Sequence, residues 1–211
     1  MAKVGVLGAG SWGTALAILL HDNGHDVIVW SIDPKEVEML SEKREHVSKL
    51  PGVHISEEIM ITNEMEEAIK GKDFLVLAVP SIFTRSTAAK MKPYVVDGQM
   101  IVDVAKGIEE DTLMTLSQQI SQEIPQADVA VLSGPTHAEE VGRKLPTSCV
   151  IGAKTKKQQS TCSPHLTVKY SVCIQVLTCL ESSLEVLLRM SSHLQQELQM
   201  VSAMEIIRRL L

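Results

Sequence analysis

The chain has 211 residues, 45% of them hydrophobic, and a formal net charge of −6, with a sequence pI near 5.6 and a mean hydropathy of +0.10. That length buries one core with room for a fragment of a second, and the acidic balance, without any basic cluster, argues against nucleic-acid partners and anionic membrane surfaces. No apolar run approaches the roughly 20 residues that span a bilayer, and Cys149, Cys162, Cys173 and Cys179 show neither Cys-x-x-Cys nor metal-ligand spacing, so the expectation is a cytoplasmic protein with no membrane insertion and no metal.

The apolar run Val4 to Leu7 reads as a strand, and Gly8-Ala9-Gly10-Ser11-Trp12-Gly13 follows it and opens into the apolar-periodic stretch Thr14 to Leu20. Those glycines interrupt any leader-like pattern. A strand, a glycine-spaced turn and a helix together form a dinucleotide-binding signature. Gly8 makes the tight turn, Gly10 lets the backbone approach a pyrophosphate, and Gly13 permits close packing of helix on strand. The phosphates would sit at the helix N-terminus, where unpaired N–H groups and the dipole favour negative charge.

Asn23-Gly24 stops that helix, and Val27 to Trp30 is the next strand. Asp33-Pro34 has the form of an N-cap with proline at the first helical position. Asn63 and Glu66 have capping-box spacing, and Gly71 closes the helix before a strand over Phe74 to Val79. Beyond it the spacing predicts a helix over Ser81 to Met91, a turn at Asp97-Gly98, a strand over Met100 to Val104, a helix over Thr112 to Ile124 and strands over Val129 to Leu132 and Ser148 to Gly152. Nearly continuous apolar strands alternating with helices predict an α/β fold, a Rossmann-like doubly wound and mainly parallel sheet covered on both faces. After Lys156 the rhythm stops, and glycine disappears after Gly152. The expected division is a dinucleotide-binding domain over 1–155 and a short non-native or helical tail over 156–211, in which Leu180, Leu184, Leu187, Leu188, Leu194 and Leu198 could line one helix face.

Ligands of open α/β sheets bind beyond the carboxyl ends of the strands. Asp33, about 20 residues past the glycines, suits the ribose hydroxyls of NAD and suits equally a plain helix cap. Lys106, in Val104-Ala105-Lys106-Gly107, is either a solvated lysine or an ammonium that grips a phosphate or polarises a carbonyl oxygen beside the nicotinamide. The turn Ser133 to Glu140 leads from strand to helix and is expected to expose amides and a hydroxyl; His137 within it is a weak acid-base candidate.

The segments GAGSWGTALA, LPGV at Leu50 to Val53, LAVPS at Leu77 to Ser81, VAKGIE at Val104 to Glu109 and VLSGPTHAEEVG at Val131 to Gly142, in this order, resemble bacterial NAD(P)-dependent glycerol-3-phosphate dehydrogenase. The resemblance covers Met1 to Thr155. It implies NAD or NADP as coenzyme, a small-molecule phosphate substrate, and hydride exchange between dihydroxyacetone phosphate and sn-glycerol 3-phosphate for phospholipid synthesis. It also leaves a homo-oligomer open for the intact enzyme. By the resemblance, Ser11, Trp12, Lys106 and Ala138 contact the coenzyme, and Lys106, Gly134 and Thr136 contact the substrate. The family often has basic residues after the second strand, where this chain has Ile32 and Asp33, which weakens the case for NADP.

The resemblance further implies a helical second domain with a catalytic lysine in a GGALKN-like segment, and the 211 residues hold no such segment; none of them is therefore assigned as catalytic. Rebuilding each codon from the third base of one residue and the first two of the next makes Met200-Val201 and Met204-Glu205 encode glycine. Read in that frame, Leu180 to Met190 is compatible with GVEFGGALKN. The expectation is a one-base slip near the codons of Lys156 and Lys157, with an out-of-frame tail and an inactive chain. The alternative is a short nucleotide-binding module with a helical interaction tail.

Overall fold

The computed structural model describes residues 1–109, 112–134, 136–145, 147–153 and 171–176. One mostly parallel sheet organises them. Its first strands are β1 (Lys3–Leu7), β2 (Asp26–Trp30) and β5 (Met60–Thr62), separated by helices α1 (Ser11–Asp22) and α2 (Pro34–Lys43) and by a small antiparallel hairpin of β3 (Glu45–His46) and β4 (Leu50–His54). Then follow α3 (Met65–Ile69), β6 (Phe74–Leu77), a 3₁₀ turn over Ser81–Phe83, α4 (Thr84–Met91), β7 (Met100–Asp103), α5 (Leu116–Glu123), β8 (Asp128–Ser133), α6 (Ala138–Gly142), β9 (Thr147–Ala153) and β10 (Ser171–Val176).

The strands lie side by side in the order β10-β9-β8-β7-β6-β1-β2-β5, all pairs parallel except β8 with β9. The chain builds outward from β1 through β2 to β5, then returns to the other side of β1 at β6. This doubly wound order opens a crevice at the carboxyl ends of β1 and β6, where ligands of such sheets bind.

Alternation along the strands divides the core between the two faces of the sheet. Val4, Val6, Val76 and Val102 pack with Leu16 and Leu20 of α1, whereas Leu75, Leu77 and Ile101 pack with Ile69, Met91 and Ile120 from α3, α4 and α5. Phe74 is essentially fully buried; a side chain of that size contributes about 1.5–3 kcal/mol by leaving water. Close approach also shapes the layers. A Cβ on Gly5 would come within 1.8 Å of the Ala68 carbonyl oxygen, so the end of α3 rests directly on β1.

Several local expectations are met by their physical causes. Asp33 caps α2 by accepting from the Lys35 amide at 3.0 Å, with Pro34 opening the helix. Gly24 and Gly71 take φ of +80° and +68° where α1 and α3 end, a conformation that only glycine adopts without strain.

Others are corrected. The capping box at Asn63 and Glu66 does not form: α3 begins after Glu64 with no side-chain cap, and Thr62 Oγ1 accepts from the Glu64 amide and donates to Glu67. The box occurs instead at Thr115 and Gln118, opening an α5 that starts at Leu116 and not at Thr112. The helix expected over Ser81 to Met91 is split, because its first three residues form a 3₁₀ turn after Pro80. Ser133 is not an exposed turn residue; it ends β8, buried.

Beyond Lys156 the sheet gains one more parallel strand, β10, beside β9. The leucine stripe from Leu180 to Leu198 lies outside the described residues.

Candidate functional site

The crevice is a cleft of about 1090 Å³, slightly above the ~300–1,000 Å³ usual for small-molecule sites. Its walls are the residues after five strands: Gly8 to Trp12 after β1, Ser31 to Asp33 after β2, Ala78 to Ser81 after β6, Ala105 and Lys106 after β7, and Thr136 to Glu139 after β8.

The glycine turn divides its labour as the spacing predicts. Gly8 has φ +116°, and a Cβ there would strike the Ala78 carbonyl oxygen at 2.5 Å. Gly13 lies behind the wall, where a Cβ would sit 1.9 Å from the Gly8 carbonyl oxygen. Gly10 differs: it lines the cleft, and a Cβ on it would meet nothing within 4 Å. The space before Gly10 is therefore open to a ligand's backbone-hugging group and not filled by protein. Gly10 is also the N-cap of the twelve-residue α1 and supplies no side-chain cap, which leaves first-turn amides for an anion. These features fit a pyrophosphate.

Lys106 reaches the cleft through a turn fastened at both ends. Asp103 Oδ1 accepts from the Ala105 amide at 3.1 Å. Gly107, at φ +147°, packs against Ser81 so closely that a Cβ would lie 2.8 Å from the serine Cβ. Asp103 is buried, and that burial pushes its carboxyl up to about 7 although the Ala105 hydrogen bond works the other way. Farther along the loop, Glu109 takes a two-pronged ion pair from Arg85 of α4. Thr136 and Ala138 line the cleft, as does the exposed His137. Gly134 is buried at the end of β8 and is not part of the wall.

At the far end, beyond β2, Asp33 serves as helix cap and cleft wall at once. The more deeply held carboxylate there is Glu36, which the spacing did not single out. Its Oε2 accepts from the Ser31 hydroxyl at 2.5 Å, and its Oε1 lies 2.6 Å from Lys49 Nζ and 3.1 Å from His46 Nε2. Burial raises the Glu36 carboxyl, but Lys49, Ser31 and His46 together outweigh it, so the group is held below its ordinary value. Lys49 comes from the tip of the β3–β4 hairpin, next to the LPGV segment, a contact that only tertiary folding reveals. Trp30, at the end of β2 where the sequence pointed to a ligand-facing turn, also lines the cleft, and Phe83 and Lys90 join it unforeseen. Among the described residues, no cluster of His, Cys, Asp and Glu is arranged to hold a metal ion, and no helix is long and apolar enough to cross a membrane.

A family model described as the NAD-dependent glycerol-3-phosphate dehydrogenase N-terminus matches residues 3–159. The chain belongs to this family. It is 62% identical over 157 residues to a glycerol-3-phosphate dehydrogenase [NAD(P)+] of Agathobacter rectalis, covering 74% of this chain and 47% of that protein. A counterpart from Fusobacterium nucleatum is 50% identical over 159 residues, covering 74% and 48%. The chain thus spans about half the length of these curated relatives. In three dimensions it resembles the crystal structure of glycerol-3-phosphate dehydrogenase from Coxiella burnetii with a TM-score of 0.82 at 25% identity, over 87% of this chain and 56% of that one. The Plasmodium falciparum enzyme shares the fold, with a TM-score of 0.81 at 20% identity over 88% and 55%. The described residues, with the glycine turn and its cleft, accordingly lie within the N-terminal part of an NAD(P)-dependent family.

Proposed function

We propose that the cleft holds NAD(P)H against dihydroxyacetone phosphate and serves the formation of sn-glycerol 3-phosphate for phospholipid synthesis in the cytoplasm. One observation carries this reading: the glycine turn and the pair Lys106 and Thr136 line a single continuous cleft. The bound nicotinamide supplies the hydride. Gly10 and the first turn of α1 position the pyrophosphate. Lys106, held by Asp103 and Gly107, brings a positive charge to where a substrate phosphate or a developing alkoxide lies; Thr136 adds a hydroxyl on the same wall, with Gly134 behind it. Hydride transfer needs close positioning in a dry cleft, and residues 1–153 form one side of one.

The other side, on this proposal, is encoded one base out of frame after the codons of Lys156 and Lys157. The 211-residue chain is then a coenzyme-binding half with negligible turnover. Resequencing the DNA across Lys156 tests the frame: restoration by one base should yield a GGALKN-like segment, and its absence refutes the slip. Assay of the purified chain with NADH or NADPH and dihydroxyacetone phosphate tests the rest, since normal turnover by these 211 residues contradicts the proposed incompleteness.

A further inference from the structure

The adenosine ribose of a dinucleotide lies beyond the second strand of a doubly wound sheet, beside the turn that holds the pyrophosphate. Here β2 ends at Trp30, and the next residue is Ser31 instead of an acid. The carboxylate arrives from α2. Glu36 lines the same wall as Ile32 and Asp33, accepts from Ser31, and is fixed by Lys49 and His46 on its other oxygen. Its side chain is 14% exposed, so these partners set its position and water does little to screen it.

We infer that Glu36 selects the coenzyme, accepting the free 2′-hydroxyl of NAD(H) and repelling the 2′-phosphate of NADP(H). The inference rests on the coenzyme reading of the cleft. A 2′-phosphate at this wall meets the carboxylates of Glu36 and Asp33. Lys35, between the two, is exposed and does not line the cleft; the cation that does so here is Lys49, already bound to Glu36 at 2.6 Å, and turning it toward a phosphate strips a largely buried carboxylate of its principal counter-charge. The other cations of the wall, Lys90 and Lys106, come from α4 and from the turn after β7.

The test is equilibrium binding to the 211-residue chain. NADH and NADPH are titrated by energy transfer from Trp12 and Trp30 to the reduced nicotinamide, and ADP and 2′,5′-ADP compete as probes of the adenosine end alone. NADH should bind at least roughly tenfold tighter than NADPH, and ADP tighter than 2′,5′-ADP. Glu36→Gln should narrow the NADH-to-NADPH gap at least roughly threefold, because NADH loses a charged acceptor for its 2′-hydroxyl while NADPH is relieved of a like charge. The double variant Glu36→Gln, Lys49→Met removes both charges, and should narrow the gap as well if the single change unfolds the chain. Equal or tighter binding of NADPH by the unaltered chain, or an unchanged gap in a cooperatively melting variant, overturns the inference and leaves the dinucleotide cleft standing. A folded chain that binds neither coenzyme overturns the cleft reading itself.

Discussion

Arg85 and Glu109 form a two-pronged pair, Nε to Oε1 at 2.6 Å and Nη2 to Oε2 at 2.8 Å, that fastens the loop after β7 to α4. The same guanidinium reaches Glu123 at 2.8 Å and Gln122 at 2.7 Å on α5. One side chain thereby ties two helices to the loop that carries Lys106. Bidentate geometry of this kind constrains position more firmly than a lysine contact does.

Glu109→Gln is expected to lower the urea midpoint of unfolding and to weaken coenzyme binding by loosening that loop. The Arg85 hydrogen bonds first, and then Thr112, hold the Glu109 carboxyl down to about 2. A carboxyl depressed on folding stabilises above its ordinary value, near 4.5, and loses that contribution as pH falls toward 2. Urea titrations at pH 7, 4 and 3 should show the wild-type advantage over Glu109→Gln shrinking at each step.

Gly10 and Gly13 separate binding from folding. Gly13→Ala forces a methyl to 1.9 Å from a backbone oxygen and is expected to destabilise by about 2–4 kcal/mol. Gly10→Ala meets open space at an ordinary φ of −64°. Its melting curve should match the wild type, while coenzyme affinity falls at least roughly tenfold, because the new methyl occupies the ligand's side of the turn. Circular dichroism and fluorescence titration read the two effects independently.

Asp103 titrates in the opposite sense to Glu109. Its folded value, about 7, is above its ordinary 3.8, so the folded state prefers the protonated acid and loses stability as pH rises from about 4 to 7. Asp103→Asn keeps an oxygen to accept from the Ala105 amide and cannot ionise. It should match the wild type at pH 4 and exceed it at pH 8, by on the order of a few kcal/mol; chemical denaturation at the two values decides.

Lys106→Ala bears on chemistry more than on folding, since the side chain is exposed and points to the cleft wall. In a protein with its frame restored after Lys156, the substitution is expected to lower kcat/KM for dihydroxyacetone phosphate at least roughly a hundredfold. The loss of NADH absorbance measures it.

Local chemistry was the readable part of the chain. Gly8, Gly10 and Gly13 could be read because their spacing between a strand and a helix is local, even though the contact that excludes a Cβ at Gly8 comes from the distant Ala78, and Asp33-Pro34 announced a cap from its local pattern. The apolar runs at Val27, Phe74 and Met100 are buried on both faces, which makes them continuous and easy to recognise. Short elements without such runs escaped. The β3–β4 hairpin contains Pro51, Gly52 and exposed residues and pairs only within itself, and the three-residue β5 is held by pairing with the distant β2, so neither shows in its own pattern. Asn63 and Glu66 had the right spacing for a cap, but Trp30 Nε1 donates to the Asn63 carbonyl at 2.9 Å and Thr62 organises the turn instead.

The amino-acid order alone was enough to read the sheet's rhythm, the glycine turn and the strand-end motifs that carry Lys106 and Thr136, because these depend on residues adjacent in the chain. What stands in the cleft beyond β2 was settled by tertiary packing. Glu36, His46 and Lys49 lie on a helix, a strand and a hairpin tip, and their meeting over Ser31 arises from the packing of the hairpin against α2. Charges separated by ten or more residues interact through distance in space, and no spacing along a chain encodes that distance.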